Sequence, residues 1–472
     1  MKRFFSLLLI LTIIVLSLSF TACGSSETNA KLTIKESLND NYDTLVQKFE
    51  TSEDFGQFSK YLSGWAKKVG LQVKTSSDQY IILSKSATSG FEKAESFTLH
   101  SDVILDKNKE DERDRSFQTA AAVMTALYSA DYHGALSGIF TLQSSDGTSG
   151  AGALSNKYLN SDNFLSLTYS GDTMICNNLA ASCDLLASQK IHMTSPQYTK
   201  AFRITLKGTP DKSPFKGRSD HPNGIKTIGD LLASCQSAGV LFELASFSGG
   251  SSPDLYPTKT TAVIVLQEND VESFTSRFEK SYERIEEYYE DIEEPFTYKM
   301  KEVNLPKQVI SVRDTDNIVS LMYTIINGTY LRSESGNIMA ASNIGRISTK
   351  NGLFRMEINA RSLEQNLMDE MLSVFETTCG LCDVKYREIH STPLWYASGQ
   401  IPLIAHLLDR LEVTPSGQME NISASAFLEK KPDLNLVIWG LSLDDAERDI
   451  SVLLDYMGSF SQSTNQTESS RD

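Results

Sequence analysis

Two stretches near the start of the chain carry apolar residues at helical spacing, and short apolar runs separated by turn residues follow them. Apolar residues three and four apart predict helices over 36–50 and 55–69, and an Ala-rich run predicts a third over 117–128. Helices that alternate with short apolar strands indicate an α/β layered domain. The predicted strands of this domain are 71–75, 80–84, 96–104, 138–142 and 164–168, and a short helix is predicted over 153–160.

The pattern changes near residue 198, where strands begin to occur in pairs with fewer helices between them. Paired strands with two or three helices fit an α+β domain that is inserted into the first one. After residue 388 the alternation of helix and strand returns, which indicates a second part of the α/β domain. The strands predicted for the insert are 201–207, 239–247, 261–267, 318–327, 337–342 and 353–360, and its helices are 225–238, 270–289 and 363–377.

The first 23 residues have the organisation of an export signal. Lys2 and Arg3 precede an apolar run over 4–20, and small residues stand directly before Cys23. This arrangement resembles that of bacterial lipoproteins, in which the cysteine carries lipid, so we expect a protein anchored at the extracytoplasmic face of the membrane. An uncleaved membrane-spanning anchor is the alternative. The predicted order is signal 1–23, tether 24–35, α/β domain 36–197, insert 198–387, α/β domain 388–458 and disordered tail 459–472.

Charge and cysteine content restrict the range of functions. The chain has 60 Asp and Glu against 44 Lys and Arg, a formal net charge of -16, which argues against a nucleic-acid partner. Five cysteines remain after Cys23, so they cannot all pair in disulfides. Cys379 and Cys382 form a Cys-x-x-Cys sequence, but it follows a predicted helix, whereas redox thiolates are activated at helix N-termini. Thiol chemistry and a disulfide between these two residues stay open.

The strand predicted over 96–104 carries His100 and Asp102 near its C-terminal end. Residues two apart on a strand point to the same side, so the Asp102 carboxylate is expected to accept from one imidazole nitrogen. The other nitrogen would then be free to bind a metal ion. Since such pairs also serve as ordinary structural contacts, both roles remain open at this point.

Several short peptides occur in a characteristic order along the chain. They are residues 66–73, 85–92, 99–103, 216–218, 246–250, 342–345, 360–362, 393–395 and 429–434. In this order they resemble the co-catalytic zinc dipeptidases of the aminoacyl-histidine dipeptidase (cytosol non-specific dipeptidase) family, over roughly residues 36–456. The resemblance implies a zinc-peptidase-like α/β domain with an inserted α+β lid, which often mediates dimers in that family.

The metal site that the resemblance implies is incomplete in this sequence. His100 and Asp102 match the first zinc-binding His and its Asp partner, and Asp146 stands where a vestigial general base would be. A pair of dications needs several anionic ligands. Neutral residues stand near the other matching positions, namely Gln118, Gly147, Thr168 and, for the lid histidine, Thr209.

Two lid residues match substrate-binding positions of the family. Arg361 would pair with a ligand carboxylate, and Asn343 would bond to a peptide backbone. The sequence therefore predicts an anchored, non-catalytic homologue (a pseudoenzyme) without a cofactor, which binds a short peptide or a partner protein and forms a homodimer through the lid. The alternative is an active, zinc-dependent dipeptidase or aminopeptidase.

Overall fold

The computed structural model describes residues 31–143, 149–210, 212–215, 221–289, 296–397 and 401–468, with side chains up to residue 460. The helices in this part of the chain are α1 (Ile34–Phe49), α2 (Phe55–Lys68), α3 (Glu110–Ser129), α4 (Gly224–Ser237), α5 (Val271–Tyr289), α6 (Val312–Thr324), α7 (Gln365–Leu381), α8 (Pro402–Leu411), α9 (Ile422–Lys430) and α10 (Ala446–Glu468). The strands are β1 (Gln72–Ser76), β2 (Tyr80–Lys85), β3 (Phe97–Val103), β4 (Leu136–Leu142), β5 (Asn163–Tyr169), β6 (Met174–Leu179), β7 (Ala181–Lys190), β8 (Met193–Thr194), β9 (Lys200–Lys207), β10 (Phe242–Gly249), β11 (Lys259–Leu266), β12 (Thr297–Glu302), β13 (Val309–Ile310), β14 (Gly328–Arg332), β15 (Ile338–Lys350), β16 (Leu353–Ser362), β17 (Lys385–Thr392), β18 (Trp395–Tyr396), β19 (Ser416–Gln418) and β20 (Leu436–Leu441).

The first sheet has the order β1-β2-β4-β3-β5-β20-β6-β18, with β19 beside β6. Its central strands β4, β3, β5 and β20 are parallel. β2 and β6 pair antiparallel to this centre on either side, and the short β19 pairs parallel to β6. Central parallel strands are covered on both faces, which is why β20 is buried at every position. The N- and C-terminal parts of the chain both contribute to this sheet and share one hydrophobic core.

Local sequence signals explain where the helices of this first layer begin. The Thr33 side chain accepts from the backbone of Glu36, and Glu36 bonds back, so α1 starts with a capping box. Asp54 caps α2 in a similar way. The Ala-rich α3 is buried from Thr119 to Leu127, so it packs as an interior helix against the sheet. Within the described residues, no helix combines the length and the apolar character needed to cross a membrane.

The second sheet is built mainly from two copies of one arrangement. Its order is β12-β9-β11-β10-β15-β16-β7-β17, with the additional strand β14 beside β15. The segments β9-α4-β10-β11-α5-β12 and β7-α6-β15-β16-α7-β17 are both β-α-β-β-α-β units, and in both the fourth strand lies at the outer edge, beside the first. The first of these units is inserted into the second, between β7 and α6. Because one unit interrupts the other, the repeat does not appear as two consecutive segments of the sequence.

Glycine is required where the two units join. β10 pairs with β15 through Ser248 and Gly249, and the backbone at Gly250 has a φ of 73°, a left-handed value that favours glycine. A Cβ added to Gly250 would lie 1.7 Å from the carbonyl oxygen of Gly345. The peptides around residues 246–250 and 342–345 therefore meet at this junction, which explains the glycines that both carry.

Several predicted elements differ from those in the structure. The prediction of a strand over 318–327 is wrong, because helix α6 covers this segment up to Thr324. The helix begins after Ser311, whose side chain caps it. Two single 3₁₀ turns replace the helix predicted over 153–160. The last helix continues to Glu468, into the tail predicted as disordered from residue 459. Helix propagation costs less than nucleation, so a polar segment can extend an amphipathic helix.

The second sheet extends beyond the insert predicted over 198–387. It begins with β7 at Ala181 and ends with β17 at Thr392, and its core contains Cys183 and Leu185. A single residue, Ala180, separates β6 of the first sheet from β7 of the second. The two sheets are therefore linked by very short connections on both sides, from β6 to β7 and from β17 to β18.

Candidate functional site

The imidazole of His100 lies in the middle of the first sheet and is completely buried. Its Nδ1 atom is 3.0 Å from the hydroxyl of Ser166 on β5, and its Nε2 atom is 2.8 Å from the hydroxyl of Thr141 on β4. Both ring nitrogens are therefore hydrogen-bonded to neighbouring strands. Neither ring nitrogen is free to bind a metal ion in this structure, so of the two roles left open by the sequence the geometry favours the structural one.

The hydrogen-bond network assigns the proton on the His100 ring. The hydroxyl of Thr141 donates to Asp102, at 2.5 Å, so its oxygen must accept from Nε2–H of the ring. Burial lowers the pKa of His100 below its ordinary value of 6.5, which keeps the ring neutral, and Nδ1 then accepts from Ser166. The lone pair of Nδ1 is used by the Ser166 hydroxyl, and Nε2 carries the hydrogen. Neither nitrogen can therefore bind a metal ion in this arrangement.

Hydroxyl groups surround the carboxylate of Asp102. Besides Thr141, the hydroxyl of Ser423 donates to it at 2.6 Å and that of Ser149 at 3.2 Å. The distance from Asp102 to the His100 Nε2 atom is 3.7 Å, so the predicted direct hydrogen bond between the two is wrong. Thr141 stands between them because the two strands are in register at Asp102 and Thr141. The Ser149 hydroxyl also lies 2.8 Å from that of Ser423, so its single proton can be donated either to the Ser423 oxygen or to Asp102.

Helix α9 covers this network with one stripe of side chains. Ser423, Phe427 and Lys430 are four and three residues apart, and such residues share a helix face. Ser423 bonds to Asp102, and the Phe427 ring lies edge-on to the His100 ring with centroids 4.8 Å apart. The Lys430 ammonium donates to backbone carbonyls at Ala151, Gly152 and Leu154. The C-terminal part of the chain thus closes the position where the resemblance implied a metal site.

At the other positions of the implied metal site that the structure describes, no charged side chain converges on His100. The Gln118 amide donates to Asp114 at 3.0 Å, and Thr209 is a buried lid residue. Asp146 and Gly147 lie outside the described residues, as do Cys23 and residues 216–218. Within the described ranges, no group of three or more His, Cys, Asp or Glu side chains is arranged to hold a metal ion.

Arg361 connects the two sheets. It lies at the end of β16, and its Nη1 atom is 3.5 Å from the carboxylate of Glu420, which precedes α9. The same nitrogen donates to the carbonyl of Met419 at 3.2 Å, and the guanidinium lies 4.5 Å from the ring centroid of Phe215. The predicted carboxylate partner of Arg361 is therefore supplied, in this conformation, by the chain itself.

Asn343 borders a small pocket in the lid, but its own amide is engaged. It donates to the carbonyls of Pro253 and Leu255, at 2.9 and 2.8 Å, and accepts from Asn223. His221 and Tyr256 line the same pocket. Sequence reasoning missed His221, although the sequence that follows it, with Asn223 as the cap of α4, is a typical helix start.

The described cysteines have no features of a redox site. Cys176, Cys183, Cys235, Cys379 and Cys382 are all buried free thiols. Helix α7 continues through Gly380 to Leu381, so the thiols of Cys379 and Cys382 lie at a helix C-terminus, as predicted. Burial raises the pKa of the Cys379 thiol to about 12, which disfavours the reactive thiolate.

The first sheet is mixed, with a parallel centre, and the second sheet belongs to an inserted α+β lid. This is a zinc-peptidase-like fold, as the sequence predicts. The structure is similar to that of aminoacylhistidine dipeptidase from Vibrio alginolyticus, with 17% identity, a TM-score of 0.63, and coverage of 90% of this chain and 96% of that one. It also has a likeness, at a TM-score of 0.46 and 12% identity, to aminopeptidase PepT from Bacillus cereus ATCC 10987, covering 90% and 98% of the two chains.

A TM-score below 0.5 is too low to support a shared fold, so the fold assignment rests on the dipeptidase. At 17% identity, that likeness concerns the fold and leaves the chemistry of this chain to its own residues. No protein-family profile matches the sequence, and no curated protein sequence matches it either.

Proposed function

We propose that this protein is a non-catalytic relative of the metallodipeptidases, held at the extracytoplasmic face of the cell membrane by lipid on Cys23, and that it binds a short peptide or a partner protein. The observation that carries the proposal is the engagement of both His100 nitrogens by Ser166 and Thr141. The fold supports descent from a peptidase, and the hydroxyl network supports loss of the metal.

The residues around His100 do not fit a pair of zinc ions. Zinc sites in proteins need at least three ligands from Cys, His, Asp and Glu side chains. At this position, serine and threonine hydroxyls approach both His100 and Asp102, and these hydroxyls satisfy the polar groups that a metal would otherwise bind. Metal-dependent hydrolysis therefore has no support in the local chemistry, and we derive no catalytic step.

The lid offers the binding surface in this proposal. The pocket lined by His221, Tyr256 and Asn343 has a volume of about 40 Å³, so in this proposal it takes one small group of the ligand while the rest lies on the lid surface. Phe215 lines this pocket and also stacks on Arg361. A ligand carboxylate would reach Arg361 by replacing Glu420.

Association of two copies through the lid is part of the same proposal. Val312 at the start of α6 and Leu381 at the end of α7 expose 61% and 85% of their surface. The ion pair of Arg313 with Asp383, at 2.8 Å, brings these two helix ends together. Exposed apolar side chains that lie together are typical of protein interfaces.

An active zinc dipeptidase is the second candidate, favoured by the fold similarity to aminoacylhistidine dipeptidase. Metal analysis and dipeptide hydrolysis distinguish the two. We expect the purified mature protein to retain less than one zinc ion per chain after dialysis, and to hydrolyse no dipeptides with zinc, manganese or cobalt. Two bound zinc ions, with hydrolysis that is lost in His100→Ala or Asp146→Ala, would establish the enzyme and refute the proposal.

A further inference from the structure

Lys31 and Leu32, the first residues that the structure describes, are hydrogen-bonded to one end of the α/β domain. The Lys31 ammonium donates to the carbonyl of Ser129, at 3.1 Å, and pairs with Asp131. The backbone N–H of Leu32 donates to the hydroxyl of Tyr128, at 3.1 Å. These bonds fix the point at which the N-terminal segment leaves the folded body.

This exit point lies at the N-terminal ends of the parallel strands. The last residues of α3 lead from it directly to β4, which begins at Leu136. The C-terminal half of α10 is at the same end, since Tyr456 packs edge-on against Phe97, the first residue of β3, with ring centroids 6.1 Å apart. Asp102 and its hydroxyl network are near the opposite end of β3. The exit point and the network are thus separated by most of a strand.

The segment between Cys23 and the exit point is short. Eight residue steps separate Cys23 from Lys31, and an extended chain spans at most about 3.6 Å per residue, or roughly 29 Å in total. Helix α10 alone, with 23 residues, is roughly 34 Å long at about 1.5 Å per residue. The segment from Cys23 to Lys31 is therefore shorter than the α/β domain. The end of this domain that carries the exit point must stay close to the surface that holds Cys23.

The surface around the exit point has side chains suited to a lipid headgroup region. Tyr132 is 63% exposed and stacks on Phe91, with ring centroids 5.8 Å apart, and Leu32 is 42% exposed. Exposed tyrosines with an apolar ring and a polar tip are enriched where protein meets the membrane interface. Lys31 adds an ammonium group beside them. We call Lys31, Leu32 and Tyr132 the exit surface.

We propose that the exit surface rests on the lipid headgroups of the membrane and that the hydroxyl network is held away from the bilayer. The proposal rests on the lipid anchor at Cys23 that is part of the proposed function. It goes further, because an anchor alone does not determine which side of the protein faces the membrane.

The test places an environment-sensitive fluorophore on single introduced cysteines of the full-length lipidated protein. Tyr132→Cys and Leu32→Cys report on the exit surface, and Tyr169→Cys, at the C-terminal end of β5, is the control. The native thiols described above are buried, and Cys23 is blocked by lipid. The labelled proteins are bound to phosphatidylethanolamine and phosphatidylglycerol vesicles that contain brominated lipid.

We expect brominated lipid to quench the fluorophore at positions 132 and 32 at least several-fold more than at position 169. Equal quenching at the three positions, or stronger quenching at 169, would overturn the orientation while leaving the anchor intact, provided that the protein floats with the vesicles. A protein that does not float would refute the anchor, and the orientation with it. The second exit-surface probe guards against a Tyr132→Cys variant that fails to fold.

Discussion

Arg361→Ala is expected to lower the free energy of unfolding by about 3 to 5 kcal/mol, because it leaves the Glu420 carboxylate buried without its cation. The Glu420 side chain is only 5% exposed, and no hydrogen bond from a described residue reaches its Oε2 atom. The charge of Arg361 is therefore the main compensation for burying this carboxylate. Chemical denaturation of both proteins measures the difference.

A matched control is available in the same sheet. Arg346 and Glu357 form an ion pair with the same separation of 3.5 Å, but the Arg346 side chain is 51% exposed. Exposed pairs contribute at most about 1 kcal/mol, so Arg346→Ala should have a much smaller effect. Equal losses in Arg346→Ala and Arg361→Ala would show that the connection between the two sheets does not depend on the buried pair.

Phe427→Ala is expected to lower the free energy of unfolding by about 3 to 5 kcal/mol. The ring is completely buried, and its centroid lies 4.8 Å from those of both His100 and Phe164. Its removal leaves a cavity directly over the hydroxyl network and releases α9 from the sheet. Urea denaturation, with the slope checked for unchanged two-state behaviour, measures the loss.

Tyr396→Ala is the comparison for this substitution, because Tyr396 is an aromatic residue with 62% exposure. Removing an exposed ring should change the free energy of unfolding by roughly 0.5 kcal/mol or less. If Phe427→Ala costs no more than Tyr396→Ala, α9 does not close the site as the structure indicates, and the hydroxyl network is open to solvent or to metal ions.

The central part of the fold could be predicted from the sequence because its elements have strong patterns. Apolar runs predict β3 and β5, an Ala-rich run predicts α3, and the mixed α/β character with an insert is confirmed. The start of the second sheet was not recognised. β6 and β7 are nearly continuous, and only Ala180 separates them, so no turn or linker residue marks the change from one sheet to the other.

The candidate site was only partly predictable. His100 and Asp102 were correctly placed on one side of a strand, but their partners could not be identified. Ser166 is 66 residues from His100, and Ser423 is 321 residues from Asp102. Serine hydroxyls have no distinctive sequence pattern at such separations, so only the fold brings them to the imidazole and the carboxylate.

Nitrogen and proton NMR of the His100 side chain tests the central claim most directly, with His100→Gln used to assign the signals. Because burial lowers the pKa of His100 below its ordinary value of 6.5, the ring should remain neutral, with its proton on Nε2, as the pH falls from about 8 to about 5.5. Added zinc should leave both nitrogen shifts unchanged. A stoichiometric zinc-dependent shift of either His100 nitrogen would contradict the replacement of the metal site by hydroxyl groups.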